Sequence, residues 1–344
     1  MAAAPAPKIE LHVHLEGAVR PRALLEIAAR NGVSLPAASE AELAKLYQFR
    51  DFAHFLELWL MTTCALQKEQ DFRQVVVEYA TEAASHGAVY LEGIFTPAER
   101  IGGGASWDEV FTGFCDGAIE AKERTGVEVR LTPDIPRNLG PEVAIETARY
   151  AIRYRERGIV GLGLGGPEDS YPAAPFQRAF QVAREGGLGS VPHAGEVAGA
   201  ASVREAIDVL HADRLRHGIR SAEDPGLLRE LAARGIVCDV CPVSNVGTGA
   251  VRSLAEHPLP LMLGAGVRCS ISTDDPAMFG TDLAHEYRVA ARLGCSAAAA
   301  FWAGLSGALC DDGTRSRLQA IADATTWQDP ATTWQDPAPP GDRR

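Results

Sequence analysis

A chain of 344 residues, 46% apolar and 23% charged, is large enough for one α/β domain with an ample core. Its 33 basic residues against 45 acidic ones leave a net charge of −12, with no Lys/Arg-rich run. That balance argues against nucleic acid and anionic membranes as partners and leaves a small molecule as the expected one.

The opening MAAAPAPK lacks a basic segment followed by an apolar core, and no apolar run reaches bilayer length. Seven scattered cysteines read as reduced thiols, so the expected setting is cytoplasmic. The first predicted strand, 9–17, carries His12 and His14 one residue apart. Strand alternation turns both imidazoles to one face, where each satisfies a backbone carbonyl or both share a metal. The connection from about 21 to 86 is the longest and is predicted to be a helical insertion. Within it Phe52, Phe55, Leu56 and Trp59 fall on one helical face, which suits either a core-facing helix or an apolar cover over a site. Further predicted strands follow at 89–95, 128–135, 159–166, 189–196, 214–220, 236–245 and 267–276. Amphipathic stretches such as Val75, Val76, Tyr79 and Ala83 separate them. Eight βα units predict an α/β fold, a (β/α)8 TIM-type barrel over residues 8–322. Residues 1–7 read as a flexible N-terminus. Residues 323–344, with the duplicated ATTWQDP, read as a disordered tail, and Pro330 and Pro337 exclude a coiled coil there.

In such barrels the active site lies at the carboxyl ends of the strands. Those ends carry His12, His14 and Glu16, then His193 and Glu196, then His217, then Asp274 and Asp275. Imidazoles and carboxylates converging from four strands do not make a core, because burying them costs too much unless a cation or polar substrate compensates. Three imidazoles and a carboxylate suit Zn²⁺ with an open position, and such a cation brings the pKa of water near neutrality. The remaining His, Glu and Asp fit hydrolysis. Cys238 and Cys241 form a lone CxxC whose sulfurs face opposite sides of a strand, and both read as packing residues.

The segments ELHVHLEGAVRP, YLEGIFTPAER, GLGLGGPE, PHAGE, RLRHGIR, CPVSNVGTGAV and SISTDDPAMF, in this order, resemble the adenosine deaminase family of metal-dependent aminohydrolases. The resemblance implies one Zn²⁺ per chain, held by His12, His14, His193 and Asp274. It implies Glu196 as the acid that protonates N1 of a 6-aminopurine nucleoside and His217 as the residue that orients the attacking water. Asp275 is the implied partner of N7 and the Gly166 amide that of N3, with His14 and Glu16 as further substrate contacts. The expected products are the 6-oxopurine and ammonia. Three departures from the family concern the sugar end. Glu16 stands where Asp is typical, Gly163 stands where Asp is frequent, and EGIFTPAER lacks the basic residue that often precedes the family's aromatic-Ser-Pro. Glu at the first position also occurs in relatives acting on adenine or on aminodeoxyfutalosine, a menaquinone-pathway nucleoside extended at 5′ by an aromatic carboxylate. Arg100, Arg137 and Arg220, all near strand ends, offer one candidate partner for such a carboxylate, and at least two of them read as solvated surface arginines. Hydrolysis of a cyclic amide or ester is the alternative chemistry. Against it, the predicted strands after the first hold no Lys that could bridge two metals.

Overall fold

The computed structural model describes residues 5–327. Its strands are β1 (Lys8–His14), β2 (Ala88–Phe95), β3 (Glu128–Pro136), β4 (Gly161–Gly165), β5 (Gly189–Ser190), β6 (His193–Ala194), β7 (Arg214–His217), β8 (Val237–Val240) and β9 (Arg268–Ile271). All pair in parallel, in the orders β1-β2-β3-β4-β5 and β6-β7-β8-β9. The two halves share one barrel position. The expected fifth strand divides at Pro192, which has no N–H to offer. Just before it, Val191 N–H donates to Leu162 O on the β4 side; Pro192 O itself accepts from Arg216 N–H on the β7 side. Beyond β9 the chain returns to β1, where His14 N–H donates to Asp274 O at 2.7 Å and Asp274 N–H to His12 O at 3.1 Å. Eight strand positions therefore close a TIM-type barrel, as the sequence pattern predicts.

Several strands stop sooner than predicted. The seventh gives way after Val240 because Pro242, with its fixed φ, opens the helix Pro242–Gly247. β7 stops at His217, which has φ 62°, followed by Gly218 at φ 67°. In β1 a bulge intervenes: Glu10 pairs with Leu91 and Val13 with Gly93, three steps against two. One extra residue reverses the alternation of faces. Ile9 and Leu11 thus join Tyr90, Phe301 and Leu305 in the cluster closing one end of the barrel, while His12 and His14 gather at the other.

The long first connection forms four helices, Pro21–Asn31, Glu40–Leu46, Phe52–Thr63 and Glu69–Ser85. Ser39 and Asp51 cap the second and third through their side-chain oxygens. The last packs Phe72, Val75, Val76 and Tyr79 into the main core, as its periodicity predicts. The helix Phe52–Thr63 stands apart, in a separate cluster of Phe55, Leu58, Trp59 and Met278. The C-terminal helix Asp312–Ala324 overruns the expected boundary at 322, and the Trp327 ring lies 5.3 Å from Phe301. The first copy of the duplicated motif therefore begins on the fold, because its Trp has an apolar surface to cover. Residues 1–4 and 328–344, which include most of both expected flexible termini, lie outside the described residues. Among the described residues no single helix is long and apolar enough to cross a membrane.

Candidate active site

β1, β6 and the segment after β9 bring four donor atoms together. His12 Nε2 lies 3.1 Å and His14 Nε2 3.2 Å from His193 Nε2. Asp274 Oδ1 lies 3.1 Å from His12 Nε2 and 3.4 Å from His14 Nε2. His193 Nδ1–H donates to Leu164 O at 3.0 Å, which leaves the Nε2 lone pair facing the cluster. Burial pushes the pKa of all three imidazoles well down, so they are neutral. Lone pairs and a carboxylate facing one another at such distances repel unless a cation lies between them. Four ligands about 2.0–2.2 Å from a tetrahedral cation stand roughly 3.3–3.5 Å apart, so the observed separations fit a bound divalent ion.

Around this cluster stand three further groups. Asp274 has φ 65°, and Ser244 Oγ–H donates to its Oδ2 at 2.6 Å. That left-handed backbone sends neighbouring Asp275 elsewhere. Asp275 Oδ1 accepts from Trp59 Nε1–H at 2.8 Å, and a Cβ on Gly17 would overlap its carboxyl group. Glu196 Oε2 lies 3.4 Å from His217 Nε2, and Thr248 Oγ–H donates to its Oε1 at 3.4 Å. Burial, followed by the Asp274 charge, pushes the Glu196 carboxyl well up; burial and Asp274 do the same to Asp275. A cation would neutralise the Asp274 contribution and leave burial, the larger cause, in place.

His14, Glu196, His217 and Asp275 line one cavity of about 240 Å³. Its opposite wall is apolar, made by Phe52, Phe55, Leu56, Trp59 and Leu60 of the separate helix and by Tyr171. Gly166, at φ 99°, also lines it.

A family model described as adenosine deaminase matches residues 7–320. The chain belongs to the adenosine deaminase family. It is 52% identical over 328 residues to an aminodeoxyfutalosine deaminase of Acidothermus cellulolyticus, covering 93% of this chain and 92% of the relative. The solved adenine deaminase of Arthrobacter aurescens superposes with a TM-score of 0.88 at 32% identity, covering 92% and 98% of the two chains. A Burkholderia ambifaria amidohydrolase with bound Zn superposes with a TM-score of 0.83 at 26% identity over 92% and 90%. This chain is a hydrolytic deaminase.

Other expectations about the deaminase site change with its structure. Glu16 is buried and does not line the cavity: its Oε1 accepts from Thr96 N–H at 2.7 Å, and its Oε2 has no partner among the described residues. The three arginines brace the scaffold. Arg100 bonds Thr63 O and, at 3.2 Å, Thr63 Oγ1. Arg137 donates to Tyr171 O and His193 O, both at 2.7 Å. Arg220 reaches Glu196 O at 3.3 Å and Glu223 at 2.9 Å. No Lys or Arg lines the cavity among the described residues. Cys238 and Cys241 are both fully buried, and Cys241 Sγ lies 3.5 Å from His12 Nδ1, so it packs directly against the site.

Two carboxylates escaped the sequence reading. Glu168 accepts from the backbone N–H groups of Gly195, Glu196 (3.0 Å), Val197 (3.1 Å) and Ala198 (3.1 Å), and from Ser202 Oγ–H. It fixes the loop that carries Glu196. Asp134 on β3 pairs in register with Gly163 on β4, forms an ion pair with Arg216 and lies 3.3 Å from His193 Nδ1. A Cβ on Gly163 would overlap both Asp134 Oδ1 and Arg216 Nη1. Asp134 and Arg216 thus fill the space that a side chain on Gly163 would take. Nothing in the TPDIP run at the end of β3 marks Asp134 out in the sequence.

Proposed function

We propose that the chain is a Zn²⁺-dependent deaminase of a 6-aminopurine nucleoside with an apolar 5′ extension, of the aminodeoxyfutalosine type. The observation that carries this reading is a three-imidazole, one-carboxylate cluster beside two buried carboxyl groups, with His14, His193, Asp274, Glu196 and Asp275 lining an aromatic-walled cavity. His12, His14, His193 and Asp274 would hold the ion, which would bring the pKa of water near neutrality. Glu196 enters protonated and donates to purine N1, which makes C6 electrophilic; the 6-oxopurine keeps that proton, and the two protons the water loses go to the departing ammonia and back to the Glu196 carboxylate. His217 orients the attacking water. Trp59 holds one oxygen of Asp275, so the other carries its proton to N7. The Gly166 amide serves N3.

The 52% identical relative is named for aminodeoxyfutalosine, and Phe52, Phe55, Leu56 and Leu60 offer the aromatic extension a surface. With the arginines engaged elsewhere, the substrate carboxylate stays in water at the mouth. Adenine is the second reading, favoured by the absence of Glu16 from the cavity lining, which leaves that carboxylate without a sugar to read. Parallel deamination assays with adenine, adenosine and aminodeoxyfutalosine decide between them. The first reading requires the extended nucleoside to give the highest kcat/KM by at least tenfold, and equal or better turnover of adenine overturns it.

A further inference from the structure

His217 and the backbone of a distant helix are joined by an unbroken chain of hydrogen bonds. Leu259 N–H faces His257 Nδ1 at 3.1 Å. His257 Nε2 faces Asn245 Oδ1 at 3.2 Å, and Asn245 Nδ2 faces His217 Nδ1 at 3.1 Å. The far nitrogen of His217 looks into the site, toward Glu196 Oε2 at 3.4 Å and Asp274 Oδ2 at 3.7 Å. All four residues are buried, with Asn245 and Leu259 at 0% exposure.

Only one polarity satisfies every link. A backbone N–H can only donate, so His257 Nδ1 must accept. A neutral His257 then carries its proton on Nε2 and needs an acceptor, which the Asn245 carbonyl supplies. The amide must therefore present its NH₂ group to His217 Nδ1, which accepts in turn. The His217 proton is left on Nε2. Leu259 lies between Pro258 and Pro260, neither of which has an N–H, so the first donor is the single one in that stretch.

We infer that His257 and Asn245 are positioning residues that lock His217 as the Nε2–H tautomer. This rests on the proposed deamination and deepens it. A locked Nε2–H donates to the oxygen that attacks C6 and stabilises the charge it develops, and it leaves the resting imidazole without a lone pair toward the site. His217 then orients and polarises the water, and the proton the water gives up passes to the Glu196 carboxylate, which has surrendered its own to N1. Reversed polarity in an analogous catalytic histidine costs about 10⁴ in kcat, and outer-shell changes at metal sites cost about 10–100-fold.

The test is a nitrogen-15 spectrum of the zinc-loaded full chain labelled at histidine, with His217 assigned by its loss in His217→Asn. The expected pattern is a protonated Nε2 and an unprotonated Nδ1, and a protonated Nδ1 overturns the inference. This readout needs no substrate, so it stands even if purines prove not to be deaminated. Kinetics give the second arm. His257→Leu is expected to lower kcat about 10–100-fold with KM within about threefold, and His257→Gln, which retains a donor to Asn245, to recover most of it. Asn245→Asp, which accepts from both sides, is expected to show a protonated Nδ1 on His217 and to lose at least about 100-fold in kcat. Equal kcat for the Leu and Gln variants, or an unaltered His217 spectrum in Asn245→Asp, overturns the inference. If the variants fail to fold, the wild-type spectrum decides alone.

Discussion

Exchanging Asp134 and Gly163 across the β3–β4 pair tests how the site is supported from below. Asp134→Gly leaves the Arg216 guanidinium, itself fully buried, with Thr132 Oγ1 at 2.7 Å as its remaining side-chain partner. Removing one partner of a buried ion pair costs about 3–5 kcal/mol. Gly163→Asp puts a second carboxylate where Asp134 and Arg216 already meet, with a Cβ only 3.0 Å from Arg216 Cζ. Overpacking of that kind costs about 1–3 kcal/mol, and the like charge adds to it. In the double variant the carboxylate simply issues from β4 instead of β3, and Arg216 regains a counter-ion. Thermal unfolding of the metal-loaded enzyme, at about 2 °C per kcal/mol, should show Asp134→Gly roughly 6–10 °C below wild type. Gly163→Asp should fall between roughly 2 °C and that range. The double variant should recover more than half of the larger loss, a coupling expected only for groups in contact. If it melts at or below the worse single variant, the carboxylate exchange is the wrong explanation of Gly163.

Glu196→Gln is expected to lower kcat at least about 10³-fold while metal content stays at one ion per chain, because it removes a proton and no ligand; near-native turnover would refute the assigned acid. His14→Ala should lose both turnover and tightly held metal, measured by elemental analysis. Trp59→Phe removes the N–H that satisfies buried Asp275, so kcat/KM for the purine should fall about 5–150-fold, equivalent to about 1–3 kcal/mol, with little change in metal content. Burial lowers the His257 pKa to about 4 from an ordinary 6.5. Its contribution to stability is therefore full above about pH 6.5 and lost as pH falls through 4. Denaturant unfolding between pH 7 and 4 should show an acid-side loss that is shallower by up to about 3 kcal/mol in His257→Gln.

The barrel was legible because its strands are short apolar runs at regular spacing, and the four clustered donors because each sits in a compact motif at a strand end. What depends on which strands are neighbours was not legible. Asp134 gains its meaning from Gly163 and Arg216, which belong to β4 and β7, and nothing local in TPDIP announces that. Glu168 lies in a quoted motif, yet its partners are backbone amides of the loop after β6. The bulge in β1 escaped for a similar reason: alternation along KIELHVH describes one face at a time and does not reveal an extra residue. The three arginines misled because charge and position near a strand end suit a ligand and a brace equally well. Trp59 shows the limit of periodicity. Helical spacing finds the face it shares with Phe55, while its indole N–H meets Asp275 from across the chain.

That single bond ties access to recognition. The helix carrying Trp59 forms the apolar side of the entrance, and the same indole presets the carboxyl group expected to read the base. Any displacement of the helix that widens the doorway also releases Asp275, so admission and discrimination cannot be adjusted separately. Bulk added at Leu56 or Leu60 that pushes this helix outward should therefore cost selectivity among purines, a trade that evolution of a new substrate on this scaffold has to meet.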